Sequence, residues 1–166
     1  MALNYKKATI ADLEILTETR IEVLRAANKL GDDVDMREVK KQTLEYYKNA
    51  LNDESHSAYL VFDADTFVGA GAVSYFQVMP TFHNPTGKKA YIMNMYTKPS
   101  HRRRGVAFKM LDLLVADAKS KGITAISLET TEMGKPLDTR FPKDKSKTAS
   151  GILLLMLIIP KEILQS

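Results

Sequence analysis

Residues 91–107 of this chain read YIMNMYTKPSHRRRGVA, in which an apolar run leads through a short polar link into a basic turn that contains a glycine. The run from Tyr91 to Thr97 is typical of a buried strand, and the residues from Gly105 to Lys121 repeat their apolar side chains at helical spacing. The arginine triplet Arg102–Arg104 therefore lies where a strand passes into a helix. Because the free NH groups at a helix start carry partial positive charge, three arginines there favour an anionic ligand.

An arginine triplet by itself is equally typical of a solvated surface or of a nucleic-acid patch. Its position favours phosphate binding, because Gly105 lets the backbone approach a ligand closely and Ala107 is small enough for close packing on the preceding strand. A Walker-type loop would need an upstream glycine and a Gly-Lys-Ser/Thr ending, and a Rossmann loop would need three glycines at fixed spacing. The turn has neither pattern, so these two nucleotide-binding classes are excluded.

The 166 residues suffice for one compact domain, which we predict to span residues 1–166. Hydrophobic residues make up 45% and charged residues 27%, and the net charge of +4 favours an anionic ligand without requiring nucleic acid. The absence of cysteine excludes disulfides, thiolate metal sites and a cysteine nucleophile. His83 and His101 lack metal-ligand spacing, so no metal is predicted.

Nothing in the sequence favours a membrane partner. The amino terminus lacks the apolar core of a secretory signal, and the longest apolar run, Ile152–Ile159, is too short to span a bilayer. We therefore predict a cytoplasmic location.

Hydrophobic periodicity predicts strands and helices without an internal repeat. The predicted strands are Leu3–Ala8, Ser57–Asp63, Phe67–Phe76, Tyr91–Thr97 and Ile123–Glu129. The predicted helices are one that starts at a Thr9–Asp12 cap, Met36–Leu51, and Gly105–Lys121. The predicted breaks are Gly31–Asp33, the hairpin turn Ala64–Thr66, the loop Met79–Lys89, and Gly122.

Two of these segments carry further information. The first helix has a stripe at helical spacing that includes one arginine, namely Leu13, Leu16, Arg20, Val23, Leu24 and Ala27. The strand–helix–strand unit from Tyr91 to Glu129 should form a parallel strand pair, and ligands of such pairs lie at the carboxyl ends of the strands.

The spacing Arg102-x-x-Gly105-x-Ala107 resembles the R/Q-x-x-G-x-G/A loop of GNAT-type N-acetyltransferases. The resemblance covers residues 3–137, is strongest from Ala90 through the following helix, and extends to the block Thr131–Leu137. It implies the α/β (α+β) GNAT fold, in which a central mixed, mostly antiparallel twisted sheet has a splayed parallel strand pair and flanking helices.

The resemblance also implies acetyl-CoA as co-substrate and assigns its binding residues. The backbone NH groups that would hold the pyrophosphate belong to Arg103, Arg104, Gly105, Val106 and Ala107. Arg102 and Arg104 would add contacts to the pyrophosphate or to the 3'-phosphate. The strand residues Met95, Tyr96 and Thr97 would pair with the pantetheine arm, and a backbone NH of this strand would polarise the thioester carbonyl. Thr131 is assigned to the same cofactor site.

The implied reaction is direct attack of a primary amine on the acetyl carbon in a ternary complex, with no covalent enzyme intermediate. It needs a base for the ammonium and an acid for the departing thiolate. Glu129 is the candidate base, with Glu132 behind it, although either carboxylate can equally be an exposed charge that balances the arginines. Asn94 and Tyr96 share one strand face and are candidate acceptor contacts. Tyr96 is also a candidate catalytic residue, or else a core aromatic.

The resemblance stops after Leu137. The family continues with a tyrosine that serves as the thiolate acid, whereas this chain has Asp138, which is ionised at neutral pH and is a poor acid. The tail 138–166 is therefore atypical, and a reading-frame change is one explanation. We expect Ile152–Ile159 to be a final strand or a short helix that does not resemble the family's closing hairpin, so that the sheet loses strand partners and keeps an exposed edge.

Three functions follow from these observations. The first is an N-acetyltransferase that acts on a small-molecule or peptide amine. The second is an acetyl-CoA or CoA-binding protein with weak or no transferase activity, because the acid tyrosine is missing. The third, a nucleic-acid-binding module, is disfavoured because no series of stacking aromatics accompanies the arginines. No nucleic-acid partner is therefore predicted, and a homodimer is left open.

Overall fold

The structure is a computed structural model that describes residues 2–130, 144–147 and 153–158. The strands are β1 (Asn4–Lys7), β2 (His56–Asp63), β3 (Thr66–Gln77), β4 (Lys88–Thr97), β5 (Ala125–Thr130), β6 (Asp144–Lys147) and β7 (Leu153–Ile158). The helices are α1 (Leu13–Asn28), α2 (Arg37–Asn52) and α3 (Val106–Ser120), with short 3-10 turns at Ile10–Asp12 and Pro99–His101.

Within these residues the strands form one seven-stranded sheet in the order β1-β2-β3-β4-β5-β7-β6. Neighbouring strands run antiparallel except for β4 and β5, which are parallel and are connected through α3. The predicted fold class, a mixed and mostly antiparallel sheet with a parallel pair and flanking helices, is confirmed.

Apolar side chains on the two sheet faces form two separate cores. On one face α3 packs through Met110, Leu111 and Leu114 against Val61 and Ile92 of the sheet. On the other face, Leu16 of α1 and Tyr47 of α2 pack against alternate residues of the same strands, such as Leu60, Ala70 and Ala72. Because side chains alternate along a strand, a central strand with helices on both sides is apolar throughout.

Helix α3 ends just before Gly122, as predicted. Gly122 has φ 70 and donates its NH to Lys119 O at 2.8 Å, while Ile123 donates to Ala118 O at 3.0 Å. This pair of bonds is a Schellman motif, which satisfies carbonyls at the helix end and needs a left-handed residue at the glycine position. The helix thus ends at Ser120, and four residues lead from it into β5 at Ala125.

Two expectations about the sheet are wrong. The predicted loop Met79–Lys89 ends early, because Lys88 and Lys89 pair with the last residues of β3 and belong to β4. The tail does not leave β5 with an exposed edge: β7 pairs with β5 from Ala125↔Ile158 to Thr130↔Leu153, and β6 pairs with β7 to form a closing hairpin. The apolar run supplies the strand that the backbone groups of β5 need as hydrogen-bond partners.

Candidate functional site

Strands β4 and β5 lie side by side for only part of their length. Their parallel pairing runs from Lys89↔Ala125 to Ile92↔Leu128, whereas β4 continues to Thr97. From residue 93 onward, the edge of β4 that would face β5 therefore has no β5 partner. Such an edge accepts an extended chain in the manner of an additional strand.

A β-bulge lies in β4 where the two strands separate. The pairing of β4 with β3 is irregular here, so that Asn94 and Met95 lie opposite the single residue Gly71. Asn94 has φ 56, a left-handed conformation that asparagine tolerates better than most residues. Bulges redirect side chains and backbone groups next to functional sites.

Met95, in the bulge, and Tyr96, directly after it, point to different cores. Met95 packs with the α3 core, and a Cβ at Gly71 would lie only 2.9 Å from its Sδ and 2.4 Å from Cγ of Met110. Tyr96 packs on the opposite face, where its ring stacks on Phe67 with 6.3 Å between the centroids. Gly71 thus provides the space in which the bulge and α3 meet.

The turn before α3 contains two left-handed residues. Arg103 has φ 60, and Gly105, the N-cap of α3, has φ 79. No side chain of the described residues caps this helix, and the first intrahelical bond is the one from Lys109 NH to Gly105 O at 3.0 Å. The earlier NH groups of the helix start lack intrahelical acceptors, and such groups bind anions.

Two contacts hold the arginine turn against the strands. Arg102 donates from Nε to the carbonyl oxygen of Thr97 at 3.2 Å, which ties the turn to the end of β4. Nε2 of His101 lies 3.0 Å from Oδ2 of Asp63, at the end of β2. This hydrogen bond lowers the pKa of Asp63, burial opposes the shift, and the nearby charges of His101 and Arg104 add to it. A carboxylate therefore accompanies the arginines but does not cap the helix.

A cavity of about 420 Å³ opens beside the bulge, on the sheet face that carries α1 and α2. Its volume falls in the range of small-molecule sites. The helices contribute Arg20, Glu38 and Tyr46 to its lining, and the sheet contributes His56 and Asn94. Asn94 thus belongs to both the bulge and the cavity.

Tyr46 and His56, which line this cavity, form a hydrogen-bonded cluster with Ser74. Nδ1 of His56 lies 3.1 Å from the Tyr46 hydroxyl and 2.9 Å from the Ser74 hydroxyl. Burial lowers the pKa of His56 to about 4, and the charge of Arg20 adds to the shift, so the imidazole is neutral at neutral pH. Within the described part of the chain, its buried Nε2 has no hydrogen-bond partner.

The structure brings most of the predicted site residues together in two adjacent groups. Asn94, Met95, Tyr96 and Thr97 lie in the separated end of β4, and residues 102–107 form the turn and the first residues of α3. The bond between Arg102 and Thr97 joins the groups. Asn94 and Tyr96 do share a sheet face, since Asn94 contacts Arg20 of α1 and Tyr96 packs into the core beneath the same helix.

The binding and catalytic roles of all the predicted site residues stay predictions, including those in and after β5. The backbone of Glu129 lies in β5 opposite Leu154. Thr131, Glu132, Leu137 and Asp138 lie outside the described residues.

Sequence reasoning did not predict Arg20, Tyr46 or His56 as site residues. The one available signal was the position of Arg20 in the apolar stripe of α1, because a cation on a buried helix face needs a polar partner. Tyr46 and His56 have no diagnostic spacing, and only the packing of α2 against the start of β2 brings them together.

In residues 2–130 and the two C-terminal strands, no group of three histidine, aspartate or glutamate side chains is placed to hold a metal ion. Among the helices of the same ranges, none combines the length and the apolar character that crossing a bilayer requires.

Solved structures with the same fold include acetyltransferases. A predicted acetyltransferase from Clostridium acetobutylicum, solved with acetyl-CoA, is 29% identical, with a TM-score of 0.75 over 89% of this chain and 95% of that one. A GCN5-related N-acetyltransferase from Ralstonia eutropha is 24% identical, with a TM-score of 0.72 over 89% and 97%. A PaiA N-acetyltransferase from Thermoplasma acidophilum, in complex with coenzyme A, shares the fold at 15% identity, with a TM-score of 0.68 over 96% and 100%.

The comparison with curated proteins gave no significant match. The sequence model of the Acetyltransferase (GNAT) family matches residues 22–136, which include α2, the bulged strand β4, the arginine turn and α3. This match spans more than half of the chain, and the fold and the acetyltransferase neighbours agree with it. The protein therefore belongs to the GNAT family of acetyltransferases and is an acyltransferase.

Proposed function

We propose that this protein transfers the acetyl group of acetyl-CoA to a primary amine of a small-molecule or peptide acceptor in a ternary complex. The observation that supports the proposal most directly is the proximity of two features that Arg102 joins: the helix start at Gly105, which no described side chain caps, and the end of β4 at Thr97, whose β5-facing edge has no β5 partner. The first suits an anion and the second an extended chain. Coenzyme A offers both in one molecule, as its pyrophosphate and its pantetheine arm.

The residues of the turn fit this cofactor. The NH groups of Arg103, Arg104, Gly105, Val106 and Ala107 would hold the pyrophosphate, with Arg102 and Arg104 supplying positive charge. A Cβ at Gly105 would meet nothing within 4 Å, so the space in front of the helix start is open. The solved neighbours from Clostridium acetobutylicum and Thermoplasma acidophilum, with acetyl-CoA and coenzyme A respectively, support the same assignment.

The strand end would position the reacting group. Met95, Tyr96 and Thr97 would pair with the pantetheine arm, and when bound, acetyl-CoA supplies a thioester whose carbonyl carbon is the electrophile. A backbone NH at the bulge would stabilise the negative charge that develops on the carbonyl oxygen. The left-handed Asn94 turns the strand at this point and places the acceptor cavity beside it.

Proton transfers would fall to groups near this junction. Burial raises the pKa of Tyr96, with a further contribution from Glu22, so the phenol is protonated at neutral pH and is a suitable donor to the thiolate. Glu129 remains our candidate base. His56 is unsuited to that role as an isolated group, because burial keeps its pKa at about 4.

The second candidate function is cofactor binding without efficient transfer. Asp138, at the position where the family has its acid tyrosine, favours it. Calorimetric titration of the full chain with acetyl-CoA, combined with thiol release over an amine panel, separates the two. Binding followed by amine-dependent thiol release supports the transferase, whereas binding without release supports the second candidate. Absence of acetyl-CoA binding overturns both.

A further inference from the structure

Arg20 is a half-buried cation in the acceptor cavity that is held in place by a neutral group. It projects from the apolar stripe of α1, next to the buried Leu16 and Val23, and its Nη1 donates to Oδ1 of Asn94 at 2.7 Å. The asparagine oxygen accepts a hydrogen bond from one N–H group of the guanidinium but does not neutralise its positive charge. Four donors of the fork remain for other partners.

Within the described residues, Arg20 has no carboxylate within ion-pairing distance. Nearby acids of α1 are engaged elsewhere: Glu22 pairs with Lys98, and Glu18 pairs with Lys40. Glu38 lines the same cavity from α2, but its Oε1 accepts a hydrogen bond from Gln42 at 2.9 Å, and it forms no ion pair with Arg20. The cavity thus carries one guanidinium and one carboxylate that do not neutralise each other.

The other polar groups around Arg20 add no charge to the cavity at neutral pH. Burial raises the pKa of Tyr47 to about 12, and burial together with Arg20 lowers the pKa of His56 to about 4, so both are neutral at neutral pH. The remaining polar lining side chains, such as Thr43 and Tyr46, are uncharged or phenolic. An anion in this cavity would therefore meet a positive charge that no carboxylate of the described residues, Glu38 included, neutralises in an ion pair.

We propose that Arg20 selects an acceptor that carries an anionic group, a carboxylate or a phosphate, a few bonds from the amine that is acetylated. This inference rests on the proposed function and names its substrate class. The planar fork of arginine matches the oxygen geometry of both anions. Its bond to Asn94 places the fork beside the β4 bulge, so the anionic group and the reacting amine lie close together. Glu38 attracts the ammonium form of such an acceptor into the cavity.

The test compares acceptors that share one carbon skeleton. Initial rates of acetyl-CoA-dependent thiol release are measured for short amino carboxylates, amino phosphonates, the corresponding amino amides, and the plain amines. We expect kcat/KM for the preferred anionic class to exceed that of the neutral amide by about tenfold or more, which is the scale of one charge-assisted bidentate contact. Comparing the amino carboxylates with the amino phosphonates shows which anionic group Arg20 prefers.

Arg20→Gln should collapse this ratio between anionic and neutral acceptors to within about twofold, and Arg20→Lys should restore part of it. The matched control is Lys48→Gln, which removes one positive charge from an exposed position of α2 outside the cavity and should keep the ratio. The proposal would be overturned, with the transferase function intact, if the natural protein used neutral and anionic amines equally well or if Arg20→Gln left the natural protein's preference for anionic amines unchanged.

A binding measurement tests the proposal in the case in which no amine is acetylated. The complex of the full chain with CoA is titrated with the amine-free carboxylate and with inorganic phosphate. Binding of either anion that Arg20→Gln weakens by about tenfold, and Lys48→Gln does not, supports the anion site even though the transferase function has failed. If neither anion binds in an Arg20-dependent manner, the proposal fails.

Discussion

Arg20 Nη1 and Asn94 Oδ1, 2.7 Å apart, join the inner face of α1 to the bulge of β4. The two residues are 74 positions apart in the chain, yet the bond connects the wall of the cavity that we propose for the acceptor to the strand that would hold the thioester. A substitution at either residue can therefore affect acceptor binding, the geometry of the strand, or both. Substitutions that keep the strand conformation but remove the bond distinguish the two effects.

Asn94→Gly should keep the fold and weaken acceptor binding. Glycine accepts φ 56 without strain but removes the bond to Arg20, so we expect KM for the acceptor to rise about tenfold with little change in acetyl-CoA affinity. Asn94→Val should instead destabilise the protein by about 1–2 kcal/mol, because a branched side chain is strained in this conformation. Steady-state kinetics and urea unfolding measure these effects. Ala64→Val, with φ 50 in a distant hairpin turn, is the control: it should be destabilised without a change in KM.

Gly105→Glu should abolish acetyl-CoA binding and leave the protein folded. The substitution puts a side chain on a residue with φ 79 and a negative charge in front of the helix start, where it repels phosphate. The matched control is Gly122→Glu at the other end of α3, which has φ 70 and equally open surroundings. Both variants should lose about 1–2 kcal/mol of stability through backbone strain, and only the first should lose binding in calorimetry. Unchanged affinity in Gly105→Glu would refute the phosphate assignment.

His56 should make the protein less stable as the pH falls from about 6.5 towards 4. Its pKa is about 4 in the folded protein, against about 6.5 in the unfolded chain, so in this window the unfolded state binds more protons. Above about pH 6.5 neither state is protonated and the effect vanishes. We expect His56 to account for about 2 kcal/mol of stability lost between about pH 7.5 and 5, measured by urea unfolding. His56→Gln should reduce that loss, and an unchanged pH dependence would contradict the burial of the imidazole.

Tyr96→Phe should lower kcat with little change in stability. The variant keeps the ring that stacks on Phe67 and removes only the hydroxyl, whose pKa is raised by burial. If that hydroxyl protonates the leaving thiolate, kcat should fall by about tenfold or more. Tyr75→Phe is a suitable control, because Tyr75 also has a burial-raised pKa but bonds Ser57 away from the cavity. Equal kcat values for Tyr96→Phe and the natural protein would show that Tyr96 is a core aromatic.

The strand, turn and helix that we propose for the cofactor were predictable because they lie within one short stretch of chain. The strand, the basic turn, Gly105 and the apolar repeat of α3 are neighbours in sequence, and each has a local signature in periodicity, glycine placement or helix capping. The positive φ of Gly105 and of Gly122 and the Schellman motif after α3 confirm the local prediction.

The acceptor half was not predictable in this way. Asn94 was predicted from strand alternation, but its contact with Arg20 depends on how α1 crosses the sheet. The cluster of Tyr46, His56 and Ser74 combines residues from α2, β2 and β3, none of which has a spacing that indicates chemistry. Strand pairing in the tail was also predicted wrongly, because β5 pairs with a strand that lies more than twenty residues further along the chain.

The sequence alone determined that this chain has a basic, glycine-containing turn between a buried strand and a helix, since hydrophobic periodicity and the conformational freedom of glycine act over a few residues. Tertiary structure decided that β4 separates from β5 after Ile92, that the tail strand β7 covers the edge of β5, and that Arg20 reaches Asn94. These features depend on packing and hydrogen bonding between segments far apart in the chain, which local patterns do not specify.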